Sequence, residues 1–299
     1  MHLPSGAVVA GNGRLRSGPG VCRRYCLAGD RPVSSTPVDL AELLGLPVRA
    51  RETHRVTKKD IVAQWEQSAP SDARLLGRTI SSAAIVGVLS PTTIGAAAVV
   101  SEDVRVDMIP VLSVVLAEHV RPADRRRVAE LLHRSMPRPA VIGLQASDDH
   151  SVLSLALTRL SRIDVGMSVI EAHLLVPVAA IAAHALEISN LARTNLVMMY
   201  GDLVRTAAAD GRPASPALSP VNAVELRRRV GVLEGELATA IRDAAREKAM
   251  QKRISLNVRA RELRARIADI ATELYGENGN AREGASGDVP PAMETKVGP

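Results

Sequence analysis

The stretch Asn222-AVELRRRVGVLEGELATAIRDAAREKAMQKRISLNVRARELRARIADIATEL-Tyr275 decides how this chain is organised. It contains no proline and is dense in Ala, Leu, Arg, Glu and Ile. Asn222-Ala-Val-Glu225 reads as a capping box, Ser219-Pro220 stands just upstream, and Gly276 follows the end. At ~1.5 Å per residue a continuous helix over this span is a rod of roughly 80 Å, far longer than an ordinary domain helix. A rod of that length needs a partner to cover its apolar edge.

Two seams can be counted along it. Val230, Leu233, Leu237, Ala240 and Ala244 recur at steps of three and four, as a and d positions of a coiled coil do. Leu256, Ala260, Leu263, Ile267, Ile270 and Leu274 repeat the alternation, but the second frame is offset by two residues. Continuing the first frame places Glu247 and Gln251 in the seam, so the polar run Arg246–Arg253 carries a phase break. No Gly, Pro or Asn-Gly marks a turn there, and the expectation is one continuous helix over a helical hairpin. Val230, Leu233, Leu237, Leu256, Leu263, Ile267, Ile270 and Leu274 are then the oligomer seam.

The flank of this helix is basic. Between Arg242 and Arg266 nine basic residues face three acidic ones, leaving +6. Lys248, Lys252, Arg259 and Arg266 fall at steps of four, seven and seven, one stripe along a continuous rod, joined by Arg246 and Arg253. Such a stripe tracks phosphates or contacts an acidic partner; the plainer alternative is a solvated flank with pairs such as Glu262–Arg266.

The rest of the chain sets bounds. Hydrophobic residues make up 46%, yet there is no Phe, one Trp (Trp65) and three Tyr, which excludes aromatic platforms for single-stranded nucleic acid. The net charge of +6 is modest for 299 residues. Cys22 and Cys26 stand alone in a Gly/Pro/Arg-rich leader that offers too few partners for a zinc site, and so low a cysteine count suits a reducing cytoplasm. Arg14, Arg16, Arg23 and Arg24 interrupt every apolar run near the start, so no signal peptide is read. The stretches 83–100 and 174–186 are broken by Ser90-Pro-Thr-Thr93 and Pro177, and neither reads as a membrane span.

Read in order, residues 1–37 are a disordered leader or an over-extended start. Residues 38–209 form an α+β domain, 210–221 a Pro/Ser linker, 222–276 the coiled-coil helix and 277–299 a disordered tail. Short helices are expected over 38–44, after the capping box Thr57-Lys-Lys-Asp60, and over 71–78. Strands follow over 83–89, 104–116 (Pro110 marking an edge or bulge), 140–144, 153–157 and 163–169, with a helix over 121–134. The result is a mainly antiparallel or mixed sheet of about five strands, closed by helices over 178–192 and 194–209.

No catalytic pattern stands out. His184 and Glu187, one helical turn apart if 178–192 is a helix, have metal-ligand spacing without further inward carboxylates; His173 with Glu171 is no stronger. Asp107 lacks the Glu-x-Lys on a following strand that a restriction-type nuclease needs, and no serine has a His/Asp constellation at recognisable spacing. No cofactor, metal or small-molecule substrate is expected.

Leu233-Glu234, Arg246-Glu-Lys-Ala-Met-Gln-Lys-Arg253-Ile-Ser-Leu256-Asn257, Leu263 and Leu274 resemble the C-terminal signature of the bacterial domain-of-unknown-function family 4391. Leu89-Ser-Pro-Thr-Thr-Ile94 and Pro139-Ala-Val-Ile142 resemble two of its strands, and the likeness covers about 40–275. The chain departs from the family in lacking its aromatic residues. The resemblance implies an α/β domain with a C-terminal coiled coil, and a setting beside DNA methyltransferases and helicases of restriction or phage-defence clusters; it transfers no functional residue. Three readings stay open: a non-catalytic interaction subunit associating through its coiled coil, a nucleic-acid-processing enzyme whose site lies in the α+β domain, and a direct DNA-binding protein.

Overall fold

The computed structural model describes residues 39–101, 104–146, 151–163 and 166–275. Residues 1–38, with Cys22 and Cys26, residues 147–150 and residues 276–299 lie outside the described residues. In chain order the elements are α1 (Leu40–Leu43), β1 (Arg51–Val56), α2 (Lys58–Glu66), α3 (Pro70–Thr79), β2 (Ile80–Leu89) and α4 (Pro91–Ile94). Then come β3 (Val99–Val100), β4 (Arg105–Val106), β5 (Ile109–Leu116), α5 (Pro122–Arg134), β6 (Val141–Gln145), β7 (Val152–Leu160) and β8 (Ser168–Pro177). The helices α6 (Leu196–Ala208), α7 (Pro220–Arg246) and α8 (Met250–Tyr275) complete it.

Six strands, one more than expected, form a mixed sheet in the order β1-β2-β5-β6-β7-β8. β5 and β6 are parallel because α5 carries the chain across between them, and every other pair is antiparallel. β3 and β4 form a separate two-stranded ribbon. Helices cover both faces. Ile109, Val111, Val141, Leu153, Leu155, Leu174 and Val176 pack with α1, α6, α7 and α8 in one core. Leu112, Val114, Ile142 and Leu144 alternate with them and pack against α2, α3 and α5 in the other. Among the described residues no helix is long and apolar enough to cross a membrane.

Local chemistry sets several ends. Thr57 accepts the Asp60 N–H to start α2, Ser219 accepts the Asn222 N–H to start α7, and Pro220 fills that helix's first turn. The cap of α7 is therefore Ser219, three residues before the expected Asn222. On α6, Tyr200 reaches the sheet: its hydroxyl accepts the Ala156 N–H (3.0 Å) and donates to the Ala140 carbonyl (2.9 Å), clamping the β6–β7 seam. Burial pushes its phenol pKa well up, so it stays a donor. Arg127 on α5 grips both oxygens of Asp72 on α3 at 2.6 and 3.2 Å.

Four expectations need correction. The edge strand β1, RETHRV, has no apolar face and was invisible to a hydrophobic pattern. Pro110 stands near the start of β5, which is central and not an edge; of the two alternatives the bulge holds, since the β2–β5 register shifts between Ile85 and Gly87, beside the Val88–Pro110 pair. The expected strand over 163–169 gives way to β8 from Ser168, and Ile163 is exposed. Residues 178–192 form no α-helix, only 3-10 turns at Val178–Ala180 and Ile188–Asn190, with His184 at φ +62°. Its buried residues Ile181, Leu186, Ile188 and Leu191 stand five, two and three apart, which matches no helical face.

The fifth correction concerns the rod. Helix α7 ends at Arg246, Glu247 is extended (φ −74°, ψ 125°), and α8 starts at Met250. The chain folds back into a hairpin. Glu247 makes the turn: its carboxylate accepts the Ala249 N–H (2.9 Å) and pairs with Lys252 (3.1 Å), capping α8 with a side chain where no glycine is present. The two expected seams then face each other. Val230, Leu233, Ala240, Ala260, Leu263, Ile270 and Leu274 are buried in a single core, and Leu237 and Ile267 pack against it half-buried, as Leu256 is on its own. An ion pair between Glu236 and Arg259 (3.0 Å) bridges the two helices, and the Ser215 N–H donates to Leu274 O at the closed end. The offset of two residues is resolved because each seam serves its own helix; a straight helix would have buried Glu247 and Gln251.

Leu263 is 1% exposed between the helices. Leu263→Ala should lower the stability by about 2–5 kcal/mol, seen as a lower urea midpoint at unchanged slope. A loss under about 1 kcal/mol would contradict the mutual burial of the two seams.

Candidate functional sites: a closed polar network and a basic arm

The sheet face under α5 holds the structure's buried ionisable cluster. Ser154 on β7 is fully buried, and its Oγ lies 2.9 Å from Nε2 of His133 (α5) and 2.9 Å from Nε2 of His173 (β8). A hydroxyl has one hydrogen, so Ser154 donates to one ring and accepts from the other. The Glu130 carboxylate lies 3.9 Å from His173 Nδ1 and favours the proton there. His173 Nε2 then accepts the serine O–H, and His133 donates its Nε2–H to the same oxygen. Nδ1 of each ring is buried with no hydrogen-bond partner, that of His173 having only the Glu130 carboxylate at 3.9 Å. Burial holds both rings neutral: desolvation, then the neighbouring His173, lowers His133 to about 3, and desolvation lowers His173 to about 4 against the opposing pull of Glu130.

Carboxylate, imidazole and hydroxyl stand in the order of a hydrolytic triad. The serine is nevertheless sealed between sheet and helix at 0% exposure, so no substrate reaches Oγ. The network pins α5 to β7 and β8. Sequence reading placed Ser154 on the strand over 153–157 and gave it no role; it is buried because helices cover both faces of the sheet. The other candidates do not converge on it. Asp107 is held by Arg138 (3.0 Å) and Arg105 (3.4 Å), Glu171 pairs with Arg159, and His184 hydrogen-bonds Glu187 on the surface. Asp148 and His150 lie outside the described residues.

The hairpin is the other site. From Ala245 to Arg259 no residue is buried, so its turn end stands clear of the sandwich. The two helices do not form the single stripe expected. Arg246 ends α7, Lys248 lies in the turn, Lys252 is bound to Glu247, and Arg253 donates to Met250 Sδ (3.0 Å). Arg259 reaches across to Glu236, and Arg266 lines a groove of about 400 Å³ between the helices with Arg229 and Asp269. Glu247 is held below the usual carboxylate range, first by the Ala249 N–H and then by Lys252. The outer side of α8 is apolar near the turn: Met250, Ile254 and Val258, spaced by four, are 61, 53 and 47% exposed. At about 100° per residue Ile254 points about 180° away from the seam residue Leu263.

With this architecture in view, comparison with known families is informative: the model of a domain of unknown function, DUF4391, matches residues 44–267. The chain belongs to DUF4391. The match encloses the six-stranded sheet, α7, the turn at Glu247 and most of α8, so the hairpin is part of the DUF4391 domain itself and not an appendage to it. No curated protein and no solved structure matches the chain.

The buried imidazoles set a pH dependence. Their folded pKa values lie below the ordinary value of 6.5, so the unfolded chain takes up protons that the folded one refuses. Stability is complete above pH 6.5 and falls as the pH drops towards 4, each ring adding a slope approaching about 1.4 kcal/mol per pH unit. Urea midpoints at pH 7, 6 and 5 should show this fall, and His173→Gln should flatten it. Equal midpoints at pH 7 and 5 would show that the rings are free to protonate in place.

Proposed function

We propose that this DUF4391 chain is a non-catalytic interaction subunit that docks onto a larger DNA-acting partner through the distal half of its α7–α8 hairpin. The observation that carries the reading is the arm: two helices held to the sandwich at one end, with an apolar stripe, Met250-Ile254-Val258, left uncovered at the other. Three large aliphatic side chains in a row on one helix face are the centre of a contact, and the cations around them are its rim. The apolar seam expected to drive association is covered within the chain, shared between α7 and α8. Association rests instead on the outer face of α8. The sealed serine supports the non-catalytic part of the reading.

The tagged full-length chain, recovered from its host beside the double variant Ile254→Glu/Val258→Glu, tests this. The wild type should bring down a stoichiometric partner that the variant loses at least tenfold, with equal melting midpoints for the two. A partner set unchanged by the variant would remove the outer face of α8 from the contact.

A further inference from the structure

We infer that the turn end of the hairpin binds the phosphate backbone of duplex nucleic acid, an assignment that rests on reading the hairpin as the contact element. The chain has 38 basic and 32 acidic residues; without the nine and three that lie in 242–266, it has 29 of each. The whole positive excess of the protein is thus carried by the part of the hairpin around and beyond its turn, and the sandwich is neutral against the termini. Half of that excess lies at the turn itself, in 242–253, where five basic residues meet only Asp243 and Glu247.

Glu247 is already committed to the Ala249 N–H and to Lys252. The others form no ion pair among the described residues. Arg242 donates to Thr239 Oγ1 and the Ala238 carbonyl, Arg253 to a thioether, and Arg246 and Lys248 extend from the turn. Arg242 and Arg246 are one helical turn apart on α7, Lys248 is between the helices and Arg253 is in the first turn of α8, so the four gather round one end of the arm. Like charges so gathered repel one another, and a polyanion relieves that repulsion.

The anion is a duplex backbone on chemical grounds. Bases of a single strand are held by stacking on aromatic rings. The described aromatic residues are elsewhere: Trp65 and Tyr200 are buried in the sandwich, and Tyr275 ends α8 under Arg212. Phosphate contact needs only guanidinium and ammonium groups, which is what the turn supplies.

Fluorescence anisotropy of the full chain with a mixed-sequence duplex of about 20 base pairs tests this. Four neutralised phosphates predict a slope of log affinity on log salt near −3.6, about a tenfold loss for each doubling of salt. Arg246→Glu/Lys248→Glu/Arg253→Glu should abolish binding at 100 mM salt, whereas Arg74→Glu/Arg78→Glu/Arg134→Glu, the same change in charge outside the hairpin, should leave most of it. Should the triple variant fold poorly, the neutral Arg246→Gln/Lys248→Gln should reduce the slope by about two. The inference is overturned by absence of duplex binding at 50 mM salt, by binding that survives the triple variant, by preference for phosphatidylglycerol vesicles, or by displacement of the duplex with poly-glutamate of equal charge. If the duplex does not bind while the Ile254-dependent partner is still recovered, the phosphate assignment falls and the interaction subunit stands.

Discussion

The fold depends on one shared apolar edge, that of α7. Its first turns, through Ala223, Val224 and Leu226, are buried in the core that runs under α6 and the sheet, and its later turns, through Val230, Leu233 and Ala240, are buried against α8. One helix is thus both a wall of the sandwich and the strut of the arm. Leu and Ile side chains so enclosed contribute roughly 1.5–3 kcal/mol each. That sum is what allows a turn crowded with cations to stay folded. The single cross-helix ion pair, Arg259 with Glu236, is about half exposed and adds little.

Much of the sandwich was legible because its signals are local. Thr57 announces a helix start through one local hydrogen bond, the start of α7 was read three residues late, and the periods of β7 and α5 follow from which residues meet a core. What escaped was set by distant partners. β1 is polar on both faces and is a strand only because β2 offers it a free edge. Residues 178–192 have the composition of a helix, yet they lie as irregular turns because Ile181, Leu186 and Ile188 each find a separate place in the core. Tertiary context overrode propensity in both cases.

The turn at Glu247 is more instructive, because its sign was on the page. Two clean seams out of register by two residues cannot share one straight face, and the run Arg246–Arg253, six of its eight residues polar, separates them. The absence of glycine and proline argued for continuity, but a helix can also end by side-chain capping. A glutamate two residues ahead of the next helix's Ala249 N–H does this without a left-handed residue. A phase break between apolar repeats is therefore better evidence for a reversal than the lack of turn residues is against it. The basic stripe, counted along a rod that does not exist, dissolved for the same reason: Lys248 is in the turn, and only Lys252, Arg259 and Arg266 keep a common spacing.

The polar network and the arm divide the molecule's chemistry in a way that bears on function. Ser154 and His133, with His173 beside them, are buried under α5, only the Glu130 carboxylate being partly exposed, and there they hold α5 to the sheet. The cations without an ion-pair partner and the half-exposed side chains of Met250, Ile254 and Val258 are placed at the exposed end of the hairpin. Moving Ser154 to the surface would require α5 to lift from β7 and β8, and with it Val128, Leu131 and Leu132 from the second core. At about 1.5–3 kcal/mol for each of those side chains, the opening would cost a large part of the stability of a domain this size. Recognition at the end of the arm asks for no such rearrangement, because the groups it would use are already in water.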